Sequence, residues 1–370
     1  MLNVKKRYTE RLLLCAAFTL LSACANEKAQ PAKPFYALDD FQSVRKIDAH
    51  VHANSKDSAM VDQAIADNFT LLTINVDYPD FPPILEQKAS ALALIDEYPQ
   101  SIYFASTFSM NGWGEPKWSD KVIQKIQREH EQGALAVKVW KNIGMSYRNQ
   151  NDALVMIDDS GFDPIFQYLT SQEIPLIGHQ GEPHNCWLPI EEMSVNNDKQ
   201  YFAAHPNYHM YLHPEMPSYQ EQMQARNQML EKNPDMAFVG AHLASLEWST
   251  DALTEFLEKF PTATVDLAAR MGQVQAQSQQ NYEKVRDFFI RFQHRIIYAT
   301  DITQAPDSDP AQFKAQAHQK WLEDWQYLVT DDLMEVPEVD GSFKGLKLPA
   351  GVIDNIFRNN AHRVFRIPLG

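Results

Sequence analysis

The sequence predicts an α/β chain folded as a single-domain (β/α)8 TIM barrel with long loops at its C-terminal face. Three observations predict it. Eight short apolar runs alternate with stretches of helical period. The 370 residues suit one large barrel better than a β-sandwich. The residues able to do chemistry recur at the ends of the apolar runs, which a parallel barrel gathers on one face.

The strand candidates, in order, are 45–52, 70–76, 102–107, 134–140, 174–179, 236–242, 262–267 and 295–301. Helical patterns lie between them. Residues 83–97 place Ile84, Lys88, Ala91 and Ile95 on one stripe, and 120–131 carry Val122 and Ile126. Residues 218–232 open with Ser218 and Glu221 at capping-box spacing. Residues 249–260 and 282–292 repeat large apolar side chains at i, i+3, i+4 and i+7. The main irregular stretches, 109–118, 141–160, 181–217 and 302–310, follow strands 3, 4, 5 and 8. All four belong at the catalytic face of a barrel.

The first 23 residues stand apart. Lys5, Lys6, Arg7 and Arg11 precede an apolar core too short for a permanent transmembrane helix. The core ends in Leu21-Ser-Ala-Cys24, which resembles a bacterial lipobox and implies cleavage before Cys24 and a lipid on its sulfur. Residues 1–23 therefore read as a signal peptide, 24–40 as a tether and 41–370 as the barrel. The expected location is the bacterial cell envelope, anchored by lipid, with outer-membrane sorting. The formal charge is −15, and near −18 once the basic leader is removed. So acidic a surface argues against nucleic acid and leaves the lipid as the only membrane attachment. Of three cysteines only Cys186 remains in the folded part, so no internal disulfide is available. A small-molecule substrate is expected, and homo-oligomerisation is left open.

The chemistry begins at Asp48-Ala-His-Val-His52. In a strand, residues i and i+2 share a face, so His50 and His52 aim two imidazoles at the same space. Strand 4 carries Lys138 and Trp140, strand 5 ends in His179, strand 6 ends in His242, strand 7 carries Asp266, and strand 8 ends in Asp301. Any one of these histidines reads equally as a satisfied core imidazole. Their recurrence at strand ends points to a nitrogen- and oxygen-rich site for Zn²⁺, with Mn²⁺ or Fe²⁺ as alternatives. Lys138 reads as a neutralising or substrate-anion-binding lysine at the barrel mouth. Asp266 and Arg270 read as an ion pair or as substrate contacts. Trp187, Tyr201, Phe202, Tyr208 and Tyr211 on the loop 181–217 read as an aromatic wall for substrate. His205, His209 and His213 are spaced four apart, but Pro206 and Pro214 argue against a second metal site.

The pieces Asp48-Ala-His-Val-His52, Gly178-His179, Gly240-Ala-His242 and Ala299-Thr-Asp301, with the C-terminal run Leu348–Phe365, resemble the amidohydrolase superfamily, in the branch that includes its decarboxylases. The resemblance spans residues 45–366. It implies a metal held by His50, His52, His179 and Asp301, with a carboxylated Lys138 as a further candidate ligand and so one ion or two, and catalysis by Asp301 and His242. The expected activity is metal-dependent hydrolysis of an amide, ester or lactone through an activated water. A non-oxidative decarboxylase of a small carboxylic acid uses the same ligands. A binding lipoprotein without catalysis is the third reading, and it predicts a lost ligand, whereas all are present.

Overall fold

The apolar runs become strands where the sequence places them. The computed structural model describes residues 33–369. The lipobox and Cys24 lie outside those residues. The strands are β1 Lys46–Ala53, β2 Phe69–Ile74, β3 Ile102–Thr107, β4 Ala134–Val139, β5 Leu176–Gly178, β6 Phe238–Gly240, β7 Ala263–Asp266 and β8 Ile296–Ile297. Each pairs in parallel with the next. Helices Ala59–Ala66, Ile84–Glu97, Trp118–Glu131, Asp163–Ser171, Tyr219–Lys232, Thr250–Lys259 and Tyr282–Arg291 connect them.

The eighth strand closes the ring. Its first part pairs with β7. The backbone then crosses to β1. Ala49 N donates to Tyr298 O (3.1 Å), Asp301 N to His50 O (2.8 Å) and His52 N to Ile302 O (2.9 Å). A short β9, Thr303–Gln304, continues that pairing with His52 and Ala53. One segment thus serves both neighbours, which removes the free edges. Ile47, Ala49, Leu72, Ile177, Val239 and Ile297 fill the interior. Phe365 and Ile367 pack with them from the C-terminal segment.

A β-bulge sets the polarity of β1. Asp48 pairs with Leu71, but Val51 pairs with Thr73, so three steps on β1 match two on β2. Strict alternation would put Asp48, His50 and His52 on one face. The bulge breaks that alternation between Asp48 and Val51. Asp48 turns to the helix layer, where it accepts from Thr300 Oγ1 (2.6 Å) and Trp321 Nε1 (2.9 Å). Trp321 belongs to the helix Pro310–Val329, which the sequence reading did not expect. Nor did it expect the hairpin of β10 Leu333–Val336 and β11 Val339–Lys344.

The helix ends agree with local chemistry. The Ser218 hydroxyl and Glu221 carboxylate cap each other's backbone N–H groups. The stripe on Ile84–Glu97 departs from expectation by a rotation. Its buried face is Gln87, Ser90, Ala91 and Leu94. Gln87 is there because its amide serves Val76, accepting from its N–H (2.9 Å) and donating to its carbonyl (2.8 Å). Residues 34–40 pack on the C-terminal helical run: Ala350 N donates to Pro34 O (3.0 Å), and Tyr36 Oη to Asp354 Oδ1 (3.1 Å).

Asp48→Ala leaves the buried Trp321 and Thr300 donors without an acceptor. Each orphaned donor costs about 1–3 kcal/mol. The expected loss is about 3 kcal/mol or more, read as a lower denaturation midpoint at unchanged slope. A change below about 1 kcal/mol would show that Asp48 does not pin β1 to the helix layer.

Candidate metal centre and active site

The C-terminal strand ends bring His50, His52, Lys138, His179, His242 and Asp301 around one cavity of about 150 Å³. Tyr78, Phe81 and Trp140 form its aromatic wall. Among the described residues, one group offers converging metal-ligand atoms. His50, His52 and Asp301 present theirs within 4.8 Å of one another.

Hydrogen bonding fixes what those atoms are. His52 Nδ1 lies 2.8 Å from the Ile74 carbonyl, which can only accept. The Nδ1 atom therefore carries the proton, and in the neutral ring Nε2 is a lone pair. That lone pair sits 3.1 Å from Asp301 Oδ1. His50 repeats the arrangement. Its Nδ1 donates to Asp266 Oδ2 at 2.9 Å, and its Nε2 lies 3.3 Å from the same Asp301 oxygen. Burial drives the His50 pKa down, helped by the Lys138 ammonium and opposed by Asp266 and Asp301. Burial pushes the Asp266 carboxyl up, but His50 outweighs it and holds the group below its usual range. Burial also opposes ionisation of Asp301, and His242, His50 and His52 overcome it.

With both rings neutral, three acceptors face one another, a geometry that a divalent cation would satisfy. His179 extends the focus. Its Nε2 is buried without a hydrogen-bond partner, and burial, then His242, holds its pKa well below 6.5. Its ring centroid is 4.2 Å from that of His242, and it stands outside the triad of His50, His52 and Asp301. Imidazole nitrogens and a carboxylate oxygen are the donor set that a divalent transition metal takes. Lys138 Nζ lies 3.3 Å from His50 Nε2 and makes no ion pair among the described residues. Burial lowers its pKa to about 8.

His242 arrives by an unusual backbone. β6 ends at Gly240, and His242, Leu243, Ala244 and Ser245 then take φ of 57°, 56°, 55° and 55°. Each such residue costs about 1–2 kcal/mol. The turn is held from several sides. His242 N donates to Asp266 Oδ1 (2.7 Å), Tyr219 Oη to Ser245 O (2.5 Å) and Ser245 Oγ to Gln180 O (2.9 Å). The buried Arg226 guanidinium donates to Ala244 O. His242 Nδ1 lies 2.9 Å from Ala268 O, so the proton is on Nδ1 and Nε2 is free to accept.

Several expected residues stand elsewhere. Asp266 is occupied by His50, His242 N and Ala268 N, not by Arg270. Arg270 donates to Ala269 O (2.9 Å), and its Nε is buried without a partner. Trp187 does not line the cavity. Its Nε1 donates to Pro217 O (3.2 Å), and its ring packs on Tyr219. The aromatic wall is instead Tyr78, Phe81 and Trp140, and the first two escaped sequence reasoning. They follow β2 on a short loop, and their signal was position after a barrel strand, not loop length. His209 and His205 are committed to the carbonyls of Leu188 and Tyr201, and His213 faces Glu215. The Cys186 thiol donates to Tyr208 O (3.1 Å), and burial pushes its pKa up, as expected for an inert thiol.

Gly240→Ala tests the turn. An added Cβ would lie 2.5 Å from Ala244 Cβ and 3.0 Å from its Cα. The expected result is loss of most activity together with lowered stability. Wild-type activity in the folded variant would show that the left-handed turn does not position His242.

The amidohydrolase family profile matches residues 104–367. The match begins within β3, so the His50 and His52 pair lies upstream of it. No curated protein sequence matches the chain. Among solved structures, an uncharacterised TIM-barrel protein from Bordetella bronchiseptica is similar at 12% identity and TM-score 0.51, covering 88% of this chain and 99% of its own. The 2,6-dihydroxybenzoate decarboxylase from Rhizobium is similar at 12% identity and TM-score 0.50, covering 87% and 99%. At that identity the likeness is one of fold. With the family profile covering more than half of its length, the chain belongs to the amidohydrolase family.

Proposed function

We propose that the protein is a metal-dependent hydrolase that cleaves an amide, ester or lactone. The observation that supports this reading is the convergence of three acceptors, His50 Nε2, His52 Nε2 and Asp301 Oδ1, at one buried point. His50, His52 and Asp301 would hold one divalent ion, Zn²⁺ first among the candidates, with His179 as the further imidazole. Such an ion would supply Lewis acidity toward a carbonyl and lower the pKa of its water toward about 7.

The chain's own residues supply the rest. Asp301 is ionised and partly open to the cavity, so its carboxylate can accept a proton and return it to a leaving group. His242 presents Nε2 to the same space, with its ring fixed by Ala268. It serves as proton shuttle or as a partner for a developing oxyanion. Asp266 orients His50 and, through the His242 N–H, the turn that carries His242. Lys138 adds a positive charge with no carboxylate paired to it, which favours a substrate group carrying negative charge. Tyr78, Phe81 and Trp140 wall the cavity against bulk water.

His50→Ala combined with His52→Ala is expected to abolish tightly bound metal while the far-ultraviolet circular dichroism stays near wild type. Elemental analysis that finds stoichiometric metal in the double variant would remove these two side chains from the site.

Asp301→Asn separates chemistry from binding. Asn keeps the size and one oxygen but cannot take a proton. The expectation is retained metal, KM within a small factor, and kcat lower by about 10²–10⁴-fold. Near-normal kcat would reduce Asp301 to a structural role and leave His242 as the base. The reaction itself is read from amides, esters, lactones and aromatic acids assayed on metal-loaded protein. Release of CO₂ from aromatic acids without hydrolysis of the others would replace this reading with decarboxylation.

A further inference from the structure

A second cavity adjoins the first. It measures about 210 Å³, and the two share Trp140 and Lys141 as a common wall. Its other walls come from the loop after β4, with Met145, and from the long loop after β5, with Glu182, Tyr208, Met210 and Met216. The two loops are tied together at the shared wall, where the Lys141 ammonium pairs with the Glu182 carboxylate. Lys141 Nζ also stands over the Trp140 ring at 5.5 Å. The two cavities therefore meet at one wall. The chamber on the far side of that wall has a different chemistry.

The chamber's lining decides what it suits. Three methionine side chains give it a polarisable, adaptable surface that favours contact with aromatic rings. Trp140 and Tyr208 add flat faces for stacking. On its wall the Lys141 ammonium pairs with Glu182, and Glu215 faces His213 at 3.5 Å, so the chamber offers no unpaired cation to an anionic occupant. A cavity of roughly 150 Å³ holds benzene. About 210 Å³ takes a six-membered ring with a short substituent. The inner cavity offers the opposite character: acceptors that suit a cation, and Lys138, whose ammonium contacts His50 Nε2 and forms no direct ion pair among the described residues.

We propose that the outer chamber is the specificity subsite for an aromatic ring, and that the substrate is an aryl-bearing carboxyl derivative. Its ring rests among Met145, Met210 and Met216, and its carboxyl-level carbon reaches past Trp140 into the inner cavity. The inference deepens the hydrolase reading and rests on it for what happens at that carbon. Trp140 is the hinge of the arrangement, since it faces both spaces. The side chains that choose the substrate are then on the loops, while those that react with it are on the strand ends.

The test is binding of a probe series to the full metal-loaded protein by calorimetry. The probes are acetate, hexanoate, phenylacetate, 3-phenylpropanoate and 4-phenylbutanoate. One arylalkanoate is expected to bind at least tenfold more tightly than both acetate and hexanoate. Met216→Trp and Met145→Trp, which fill the chamber from opposite loops, should each remove that advantage while acetate binding changes less than twofold. Equal affinity for aryl and alkyl acids, binding of none of the arylalkanoates, or an advantage that survives both fillings would each overturn the chamber's role. The two readings fail separately. Ring-dependent binding to protein that holds no metal keeps the chamber and sinks the metallohydrolase. Bound metal with ring-independent affinity does the reverse.

Discussion

Everything in the site depends on three acceptors aimed at one point. His50 and His52 have their Nδ1 protons committed to Asp266 and Ile74, so their lone pairs turn inward, where Asp301 Oδ1 already stands. With both rings neutral the arrangement calls for a positive charge, and Lys138 Nζ, 3.3 Å from His50 Nε2, is one that the chain itself supplies. The partners that fix the two tautomers also hold the rings in place, which is the usual means by which a protein prepares imidazole for a metal. The Asp301 carboxylate sits at the seam where the last strand crosses to the first. Its N–H bonds to His50 O, so barrel closure and site assembly are the same event.

The surrounding structure stores cost to achieve that aim. A bulge on β1 separates Asp48 from the two histidines and sends it outward to Trp321. Four successive left-handed residues after β6 bring His242 to the cavity, against the preference of every non-glycine residue among them. Asp301 itself has φ of 69°. Such strain persists only where neighbours over-determine it. Here Asp266, Tyr219, Gln180 and Arg226 do so by bonds to the turn. Asp266 touches two parts of the site at once, His50 by its side chain and His242 by its backbone, and so couples strand 1 to strand 6.

Much of this was legible in the sequence. Parallel strands buried on both faces read as continuous apolar runs, which is why eight could be placed. The strand-end histidines and Asp301 could be grouped because a parallel barrel leaves them no other place to meet. What failed to show has specific causes. The bulge is silent, since Lys46–Ala53 alternates as any strand would. The left-handed turn is silent because Leu243 and Ala244 are not residues that advertise it. Gln87 hid the buried stripe of its helix by placing a polar side chain on the inner face. The helix from Pro310 did carry a signal: Asp309 caps it through Gln312 N at 2.8 Å, with Pro310 in its first turn. Trp187 was misplaced because an aromatic-rich loop looks like a substrate wall, whereas Trp187 and Phe202 pack within the loop's own small core and Tyr201, Tyr208 and Tyr211 are exposed.

X-ray absorption spectroscopy at the edge of the bound metal tests the converging acceptors most directly. A first shell of nitrogen and oxygen, with outer-shell scattering from at least two imidazoles, is the predicted result. A shell of oxygen alone, or one containing sulfur, would contradict it.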